Sequence, residues 1–374
     1  MRAPRRRAGF TLIELMIALT ISALLVGMIL AIFTRMSTAY RSQQYVAELQ
    51  RTLTAAHDVI GRDVRQAGFQ LLDGVQVANG LGSITHPGLE IRDNASGFGP
   101  DELHMFYADP SAQARVTVMT PLLLTVDNRD RFEPGDVVVV TNYIVDGSFT
   151  PPRVRNRACV MQIALIVGNV FTMRQDGTWG SLLNAQCLGS ISILSTTMVY
   201  KFVARGYRID ATRRSLGVLQ QSATGGIVND WQDLGLGFTD LQVASRWYEG
   251  EDNGGRQLVD TADVDTDPLR DWYSGADQNT LTATSTAYDD TRPLLTEVRL
   301  TLVVRTRQRL QAAGAPRTPT LTDAARVSNN DVGNRASVTL AGVADASRPE
   351  ELRGDAIFRY ATVGIDLRNL AVGR

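Results

Sequence analysis

The first 67 residues carry the hydrophobic pattern of one long helix that changes character part-way. From Phe10 to Phe33 the chain is apolar for 24 residues, with Glu14 as the only charged residue. A helix of this length spans about 36 Å, which is enough to cross a bilayer. Further apolar residues then recur at three- and four-residue steps, which predicts an amphipathic continuation that ends near Gly68. That stripe consists of Val46, Leu49, Leu53, Ala56, Ile60, Val64 and Ala67.

After Gly68 the pattern changes to short β-like runs separated by Gly, Pro, Asn and Asp, so the fold class is α+β, with a long N-terminal helix packed on an antiparallel β-rich head. Length alone allows one or two domains, and no linker that would split the head is visible. The predicted strands are Glu102–Tyr107, Pro121–Val126, Asp136–Val145, Cys159–Val167, Val170–Arg174, Ser190–Ala204, Gly237–Tyr248, Leu295–Arg307 and Phe358–Arg368.

One of these runs alternates cleanly and predicts a half-buried antiparallel strand. Val298, Leu300, Leu302 and Val304 lie on one side, and Glu297, Arg299, Thr301 and Arg305 lie on the other. Two polar stretches, Glu249–Arg292 and Ala312–Arg353, contain few large apolar residues and are interpreted as long loops.

Charge is concentrated at the N-terminus although the net charge is only −1. Arg2, Arg5, Arg6 and Arg7 precede the apolar run, so the positive-inside rule predicts a single-pass protein with a cytoplasmic N-terminus and the remainder across the membrane. The near-zero net charge gives no basic face for nucleic acid. Lys201 is the only lysine and follows no glycine-rich loop, which excludes a P-loop.

No catalytic, cofactor or metal motif stands out. His57, His86 and His104 have no metal-ligand spacing and no paired nucleophile, so we expect surface or partly buried histidines, and none of the enzyme signatures is present. The acidic run Asp263, Asp265, Asp267 and Asp271 begins like a calcium loop. However, Pro268 and Ser274 stand where its glycine and glutamate belong. A solvated acidic loop is therefore expected, with no metal ligands and no cofactor.

The two cysteines, Cys159 and Cys187, allow two interpretations. In an oxidising compartment they would form a disulfide worth roughly 3 kcal/mol. Otherwise both remain free thiols.

Glu14 requires an explanation, because an unpaired carboxylate inside an apolar membrane helix costs a few kcal/mol. The segment RRRAGFTLIELMIAL, residues 5–19, resembles the class III signal of type IV pilins and type II secretion pseudopilins. The resemblance implies that a prepilin peptidase cleaves between Gly9 and Phe10 and methylates the new amine of Phe10. It also implies that Glu14 is an assembly contact that neutralises the Phe10 amine of a neighbouring subunit. Residues 1–9 are then a leader, 10–33 a transmembrane and filament-core helix, 34–67 its amphipathic continuation, and 68–374 the head.

Four further segments resemble PilW-type minor pilins: Arg62–Phe69, Asp233–Tyr248, Leu295–Arg307 and Phe358–Asn369. This resemblance implies a non-catalytic minor pilin that primes type IV pilus assembly and sits at or near the tip. Its partners would be the prepilin peptidase, other minor pilins, the major pilin and the inner-membrane assembly platform. A tip adhesin is a further candidate partner. It would reside in the inner membrane with its head in the periplasm, and then in the pilus.

Two alternatives remain open at this point. A type II secretion minor pseudopilin of the J type shares the same architecture. A membrane-anchored periplasmic enzyme or ligand-binding protein would require a pocket with convergent polar groups, which a sequence cannot display.

Overall fold

A computed structural model describes residues 11–71, 74–79, 82–92, 100–146, 153–179, 187, 191, 193–210, 217–248, 294–305 and 358–367. The chain forms two compact units, Met1–Arg51 and Thr52–Arg374.

The first element is a single helix, α1, from Leu12 to Gln66. Its extent matches the predicted helix to within two residues at each end. In its C-terminal part the stripe side chains of Leu53, Ile60 and Val64 are buried. The helix stops at Gly68, which has a φ of +74° and donates its N–H to the carbonyl oxygen of Phe106 at 2.9 Å. A left-handed residue just past the last turn is the usual position for glycine.

Fourteen strands follow within the described residues. They are β1 (Val75–Asn79), β2 (Gly82–His86), β3 (Leu89–Arg92), β4 (Glu102–Met119), β5 (Leu123–Val126), β6 (Val137–Asp146), β7 (Arg153–Val167), β8 (Val170–Met173), β9 (Met198–Asp210), β10 (Val218–Ser222), β11 (Gln232–Leu236), β12 (Phe238–Tyr248), β13 (Leu294–Arg305) and β14 (Phe358–Asp366).

Six of these strands close into an antiparallel barrel. The pairings run from β4 to β5, β8, β7, β6 and β9, and β9 then returns to β4. One buried cluster draws apolar side chains from all six strands, including Val116, Leu124, Val140, Phe171 and Val199. The barrel interior is therefore packed with side chains, as expected for so few strands.

Alternate residues of the same strands build a second buried layer on the outside of the barrel. Val139, Val160 and Tyr200 are each adjacent in the sequence to a residue of the barrel interior. They nevertheless belong to a different buried cluster, which also contains Leu71 and Trp179. Successive side chains of a pleated strand point to opposite faces, so these strand segments are buried on both faces. The outer layer covers β6, β9 and parts of β4 and β7.

The remaining strands extend from this barrel or lie beside it. β3 pairs with β4, β10 and β11 continue beyond β9, and β1 with β2 joins along β7. A separate three-stranded antiparallel sheet has the order β12-β13-β14.

Side chains and backbone groups from other elements occupy both outer strands of the three-stranded sheet. Asp101 donates its N–H to the Leu241 carbonyl oxygen of β12 at 2.8 Å, and its carboxylate accepts the Val243 N–H at 2.8 Å. On β14, the carbonyl oxygen of Ala361 lies 3.0 Å from Nε2 of His57 on α1. The sheet is therefore tied to the start of β4 on one side and to the helix on the other.

The structure corrects several sequence expectations. The run that starts at Ser190 becomes a strand only from Met198, and β1, β2, β3, β10 and β11 were not predicted. The predicted half-buried strand, β13, is buried on both faces over its second half, because Thr301 is fully buried and Arg305 is only 6% exposed. Thr301 bonds the hydroxyl of Thr362 across the sheet at 2.8 Å.

Candidate functional site

The N-terminus of α1 places Glu14 in the first helical turn beside Thr11. The Glu14 N–H donates to Thr11 Oγ1 at 3.3 Å. In return, Glu14 Oε2 accepts from the Thr11 N–H at 3.4 Å and from its hydroxyl at 3.3 Å. This reciprocal arrangement is a capping box, and a carboxylate at this end also complements the helix dipole. The Thr-x-x-Glu spacing was visible in the sequence, although the partnership with Thr11 was not anticipated.

The helix surface around Glu14 is apolar and uncovered. Leu12, Ile13, Leu15, Met16 and Ile17 each expose more than half of their surface. By length and composition this helix can cross a membrane. Among the described residues Glu14 makes no ion pair, and a carboxylate in apolar surroundings is stabilised by a cationic partner.

Gly9 and Phe10, the expected cleavage and methylation residues, lie outside the described residues. Their identification rests on the sequence. Residues 4–30 match the prokaryotic N-terminal methylation motif.

No curated protein matches this chain. Among solved structures, the chain is similar to a type IV-like pilin from Thermus thermophilus, with 10% identity, coverage of 86% of this chain and 96% of that one, and a TM-score of 0.30. A superposition this loose carries no function from one protein to the other. The chain thus combines a prepilin methylation motif with a long apolar helix and an antiparallel β-rich head.

The two cysteines are brought together in the head. Cys159 and Cys187 are joined by a disulfide, with their Cα atoms 5.9 Å apart, inside the usual range for such bonds. Cys159 is fully buried in the barrel interior, and Cys187 packs against the same cluster.

The three histidines lie at separate places and not around one site. His104 is fully buried on β4 and His57 is 8% exposed on α1, so the expectation of surface or partly buried histidines is wrong for these two. Burial lowers the pKa of His57, although its hydrogen bond to the Ala361 carbonyl and the charge of Asp58 act in the opposite direction.

His86 and His104 each face a glutamate. Glu90 accepts from Nδ1 of His86 at 3.1 Å and from Nε of Arg92 at 2.8 Å. Burial raises the pKa of Glu90, but these two hydrogen bonds and the nearby charges of Arg92 and His104 outweigh it and lower the pKa to about 2.

Glu102 forms the corresponding partner of the buried histidine. It lies 3.3 Å from Nε2 of His104, and this hydrogen bond lowers the pKa of Glu102 against the opposing effect of burial. Nδ1 of His104 lies 2.6 Å from the carbonyl oxygen of Gly225. Both His–Glu pairs therefore stabilise the fold around β3 and β4.

A buried carboxylate at the end of the helix was missed by sequence reasoning. Asp63 is 5% exposed and accepts hydrogen bonds from Tyr207 Oη at 2.7 Å and Tyr107 Oη at 3.4 Å. Burial, followed by the Asp63 charge, raises the pKa of Tyr107 to about 12. Burial, followed by the hydrogen bond to Asp63, raises the pKa of Tyr207. Both tyrosines therefore remain protonated donors.

The acidic run Asp263–Asp271 falls outside the described residues, as do both predicted loops. Within the described part of the chain no three His, Cys, Asp or Glu residues are placed to hold a metal ion.

Proposed function

We propose that this protein is a PilW-type minor type IV pilin, cleaved between Gly9 and Phe10, methylated on Phe10, and assembled with other minor pilins to prime a pilus at or near whose tip it sits. The observation that carries the proposal is the methylation motif over residues 4–30, which overlaps an uncovered apolar helix with a carboxylate in its first turn.

Glu14 acts in this mechanism as an assembly contact. Cleavage before Phe10 creates an ammonium group at the start of an apolar helix. The Glu14 carboxylate of a neighbouring subunit can neutralise that cation, and in low dielectric this pairing is favourable when both groups would otherwise be unpaired. The capping box holds Glu14 in the first turn, close to the depth at which a neighbour's amine would lie.

The subunit works by binding and not by turnover. In the described regions, His57 and His104 face backbone carbonyls and His86 and His104 face glutamates, and none of these bonds activates a serine or cysteine. Anchored by α1, the head would lie in the periplasm and then on the pilus. The partners in this role are the prepilin peptidase, other minor pilins, the major pilin and the assembly platform.

The deciding experiment is mass analysis of the N-terminus of the membrane-extracted protein. We expect a chain that begins at N-methylated Phe10. Gly9→Val should block cleavage, because a branched side chain replaces a bare backbone at the cut site. Ala8→Val, which places the same side chain one residue earlier, is the matched control and should still be processed. A mature chain that begins elsewhere would overturn the pilin proposal.

A type II secretion pseudopilin of the J type would be processed in the same way. Partners recovered from detergent-solubilised membranes separate the two functions. Pilus proteins support the proposal, and secretion proteins would replace it.

A further inference from the structure

The part of the barrel formed by β5, β8 and the adjoining ends of β4 and β7 has a continuous uncharged outer face. Cross-strand partners on one face of a sheet lie about 5 Å apart, so the registers define a contiguous surface. Its two rows are Leu123, Thr172 and Leu165, and Val118, Thr125, Val170 and Val167. We call this surface the open wall.

The open wall is exposed although the residues between its members are buried. Leu124 and Phe171 alternate with wall residues and fill the barrel. By contrast, Val118 is 54%, Leu165 53% and Val167 64% exposed. Over β6, β9 and parts of β4 and β7, by contrast, the second buried cluster covers the outside of the barrel. Scattered exposed apolar residues are ordinary, but a contiguous patch indicates a contact surface.

The composition of the open wall specifies the chemistry of its partner. Its two rows contain only Val, Leu and Thr, so no charge is available to attract an ionic ligand. They contain no Trp, Tyr, Lys or Arg either, which are the residues that hold a surface at a lipid interface. An uncharged, apolar protein surface is the occupant that fits.

The size of the open wall specifies where that partner is held. Its half-exposed side chains present on the order of a few hundred Å², against about 800 Å² per partner in a stable interface between soluble proteins. A contact this small is effective when both partners share one membrane, because anchoring raises their effective concentration. The apolar helix α1 supplies such an anchor on this chain.

We propose that the open wall docks against an uncharged surface on the head of a different pilin subunit anchored in the same membrane. The inference rests on the proposed function and adds to it the face of the head that makes the contact.

The first test compares paired charge substitutions in the full-length protein in its native membrane. Leu165→Asp with Val167→Asp places two charges on the open wall. Leu234→Asp with Val228→Asp places the same charges at positions that are 44% and 40% exposed elsewhere on the head. We expect recovery of partner pilins to fall about tenfold for the wall variant, as for a loss of roughly 1.4 kcal/mol. The control pair should recover partners normally, and urea unfolding should show both variants folded.

The second test places a photo-crosslinking amino acid at Leu165. The expected product joins Leu165 to the head of another chain that carries its own methylation motif. Products with lipid, with a second copy of this chain or with an unanchored protein would overturn the inference, and so would the absence of any product or full partner recovery by a folded wall variant.

These outcomes are separable from failure of the proposed function. If Phe10 is not the mature N-terminus, the pilin proposal fails. If Phe10 is the mature N-terminus and partners still depend on Glu14, but the wall variant recovers them fully, the docking inference alone fails.

Discussion

Tyr207 Oη donates a hydrogen bond of 2.7 Å to Oδ2 of Asp63, and this bond joins β9 to the last turns of α1. Tyr207 is fully buried and also accepts from Nε2 of Gln221 at 3.2 Å. The helix is therefore fixed to the barrel by a buried charge as well as by apolar packing. Loss of either partner removes this bond from the other in a buried site.

Tyr207→Phe should lower the free energy of unfolding by about 2 kcal/mol, because a hydrogen bond to a charged acceptor is lost with little change in shape. Tyr107→Phe is the matched control, since its bond to the same carboxylate is 3.4 Å long. It should cost less than half as much. Urea unfolding of the detergent-purified chain measures both values. Equal losses would show that Asp63 does not distinguish the two tyrosines.

Glu14→Ala should leave membrane insertion intact, because it removes a charge from an apolar helix. It should nevertheless reduce both pilus number and partner recovery, since the Phe10 amine of a neighbour loses its counter-charge. Thr11→Val removes the capping hydroxyl but keeps the carboxylate, so it should have the weaker effect. Fractionation confirms equal membrane levels. Normal piliation of Glu14→Ala would remove the assembly role.

His57 makes the head sensitive to mild acid. Burial lowers the pKa of His57 in the folded state from its ordinary value of 6.5. As the pH falls below 6.5, the unfolded chain therefore binds more protons than the folded one, and the free energy of unfolding decreases. His57→Gln keeps a donor for the Ala361 carbonyl and cannot be protonated, so it should flatten this dependence. Glu90 provides an internal contrast, because its pKa of about 2 means that its contribution is lost only below its ordinary pKa of 4.5. Unfolding free energies from pH 8 to pH 3 test both windows.

Gly226→Ala should be strongly destabilising. Gly226 has a φ of +73°, and an added Cβ would lie 2.5 Å from Cε1 of the buried His104. Gly177→Ala has a similar φ of +83° but open space around the new atom, so it isolates the backbone strain of about 1 kcal/mol. We expect Gly226→Ala to exceed it by at least about 1 kcal/mol in thermal or urea unfolding. Equal effects would mean that the loop moves away from His104 freely.

The Cys159–Cys187 bond should protect both sulfur atoms from alkylation in protein taken from its native compartment. Cys187→Ser should lower stability by about 3 kcal/mol. It should also leave a thiol at Cys159 that reacts only after denaturation, because Cys159 is fully buried. Mass analysis after alkylation, with and without urea, tests this. Rapid labelling of both cysteines in native protein would show that the disulfide does not form in the cell.

The long helix was predictable from local information, because both its apolar run and its stripe are periodic within a few turns. Barrel closure was not, since Leu103 pairs with Tyr207 far along the chain and strand pattern alone does not select partners. The same limit explains why the burial of Thr301 and Arg305 was not predicted. Alternation shows that they share a face, but not that another element buries it.

The residues of the candidate site differ in the same way, because some are recognisable from local sequence and others only from long-range contacts. Glu14 stands out in the sequence because it is a charged residue in an apolar run. Its partner Thr11 lies three residues earlier, which is the spacing of a capping box. Asp63 looked like one of several polar residues on an amphipathic helix. Only the meeting of β4 and β9 gives it two tyrosine donors, and that meeting depends on long-range pairing.

The contacts of Asp101 and His57 with the outer strands of the three-stranded sheet bear on how the protein avoids amyloid-like association. A strand with free N–H and C=O groups invites a strand from another molecule. Asp101 occupies the Leu241 carbonyl and Val243 N–H of β12, and His57 occupies the Ala361 carbonyl of β14. At these points an incoming strand finds the hydrogen-bonding groups already occupied, so strand addition from another molecule is disfavoured there.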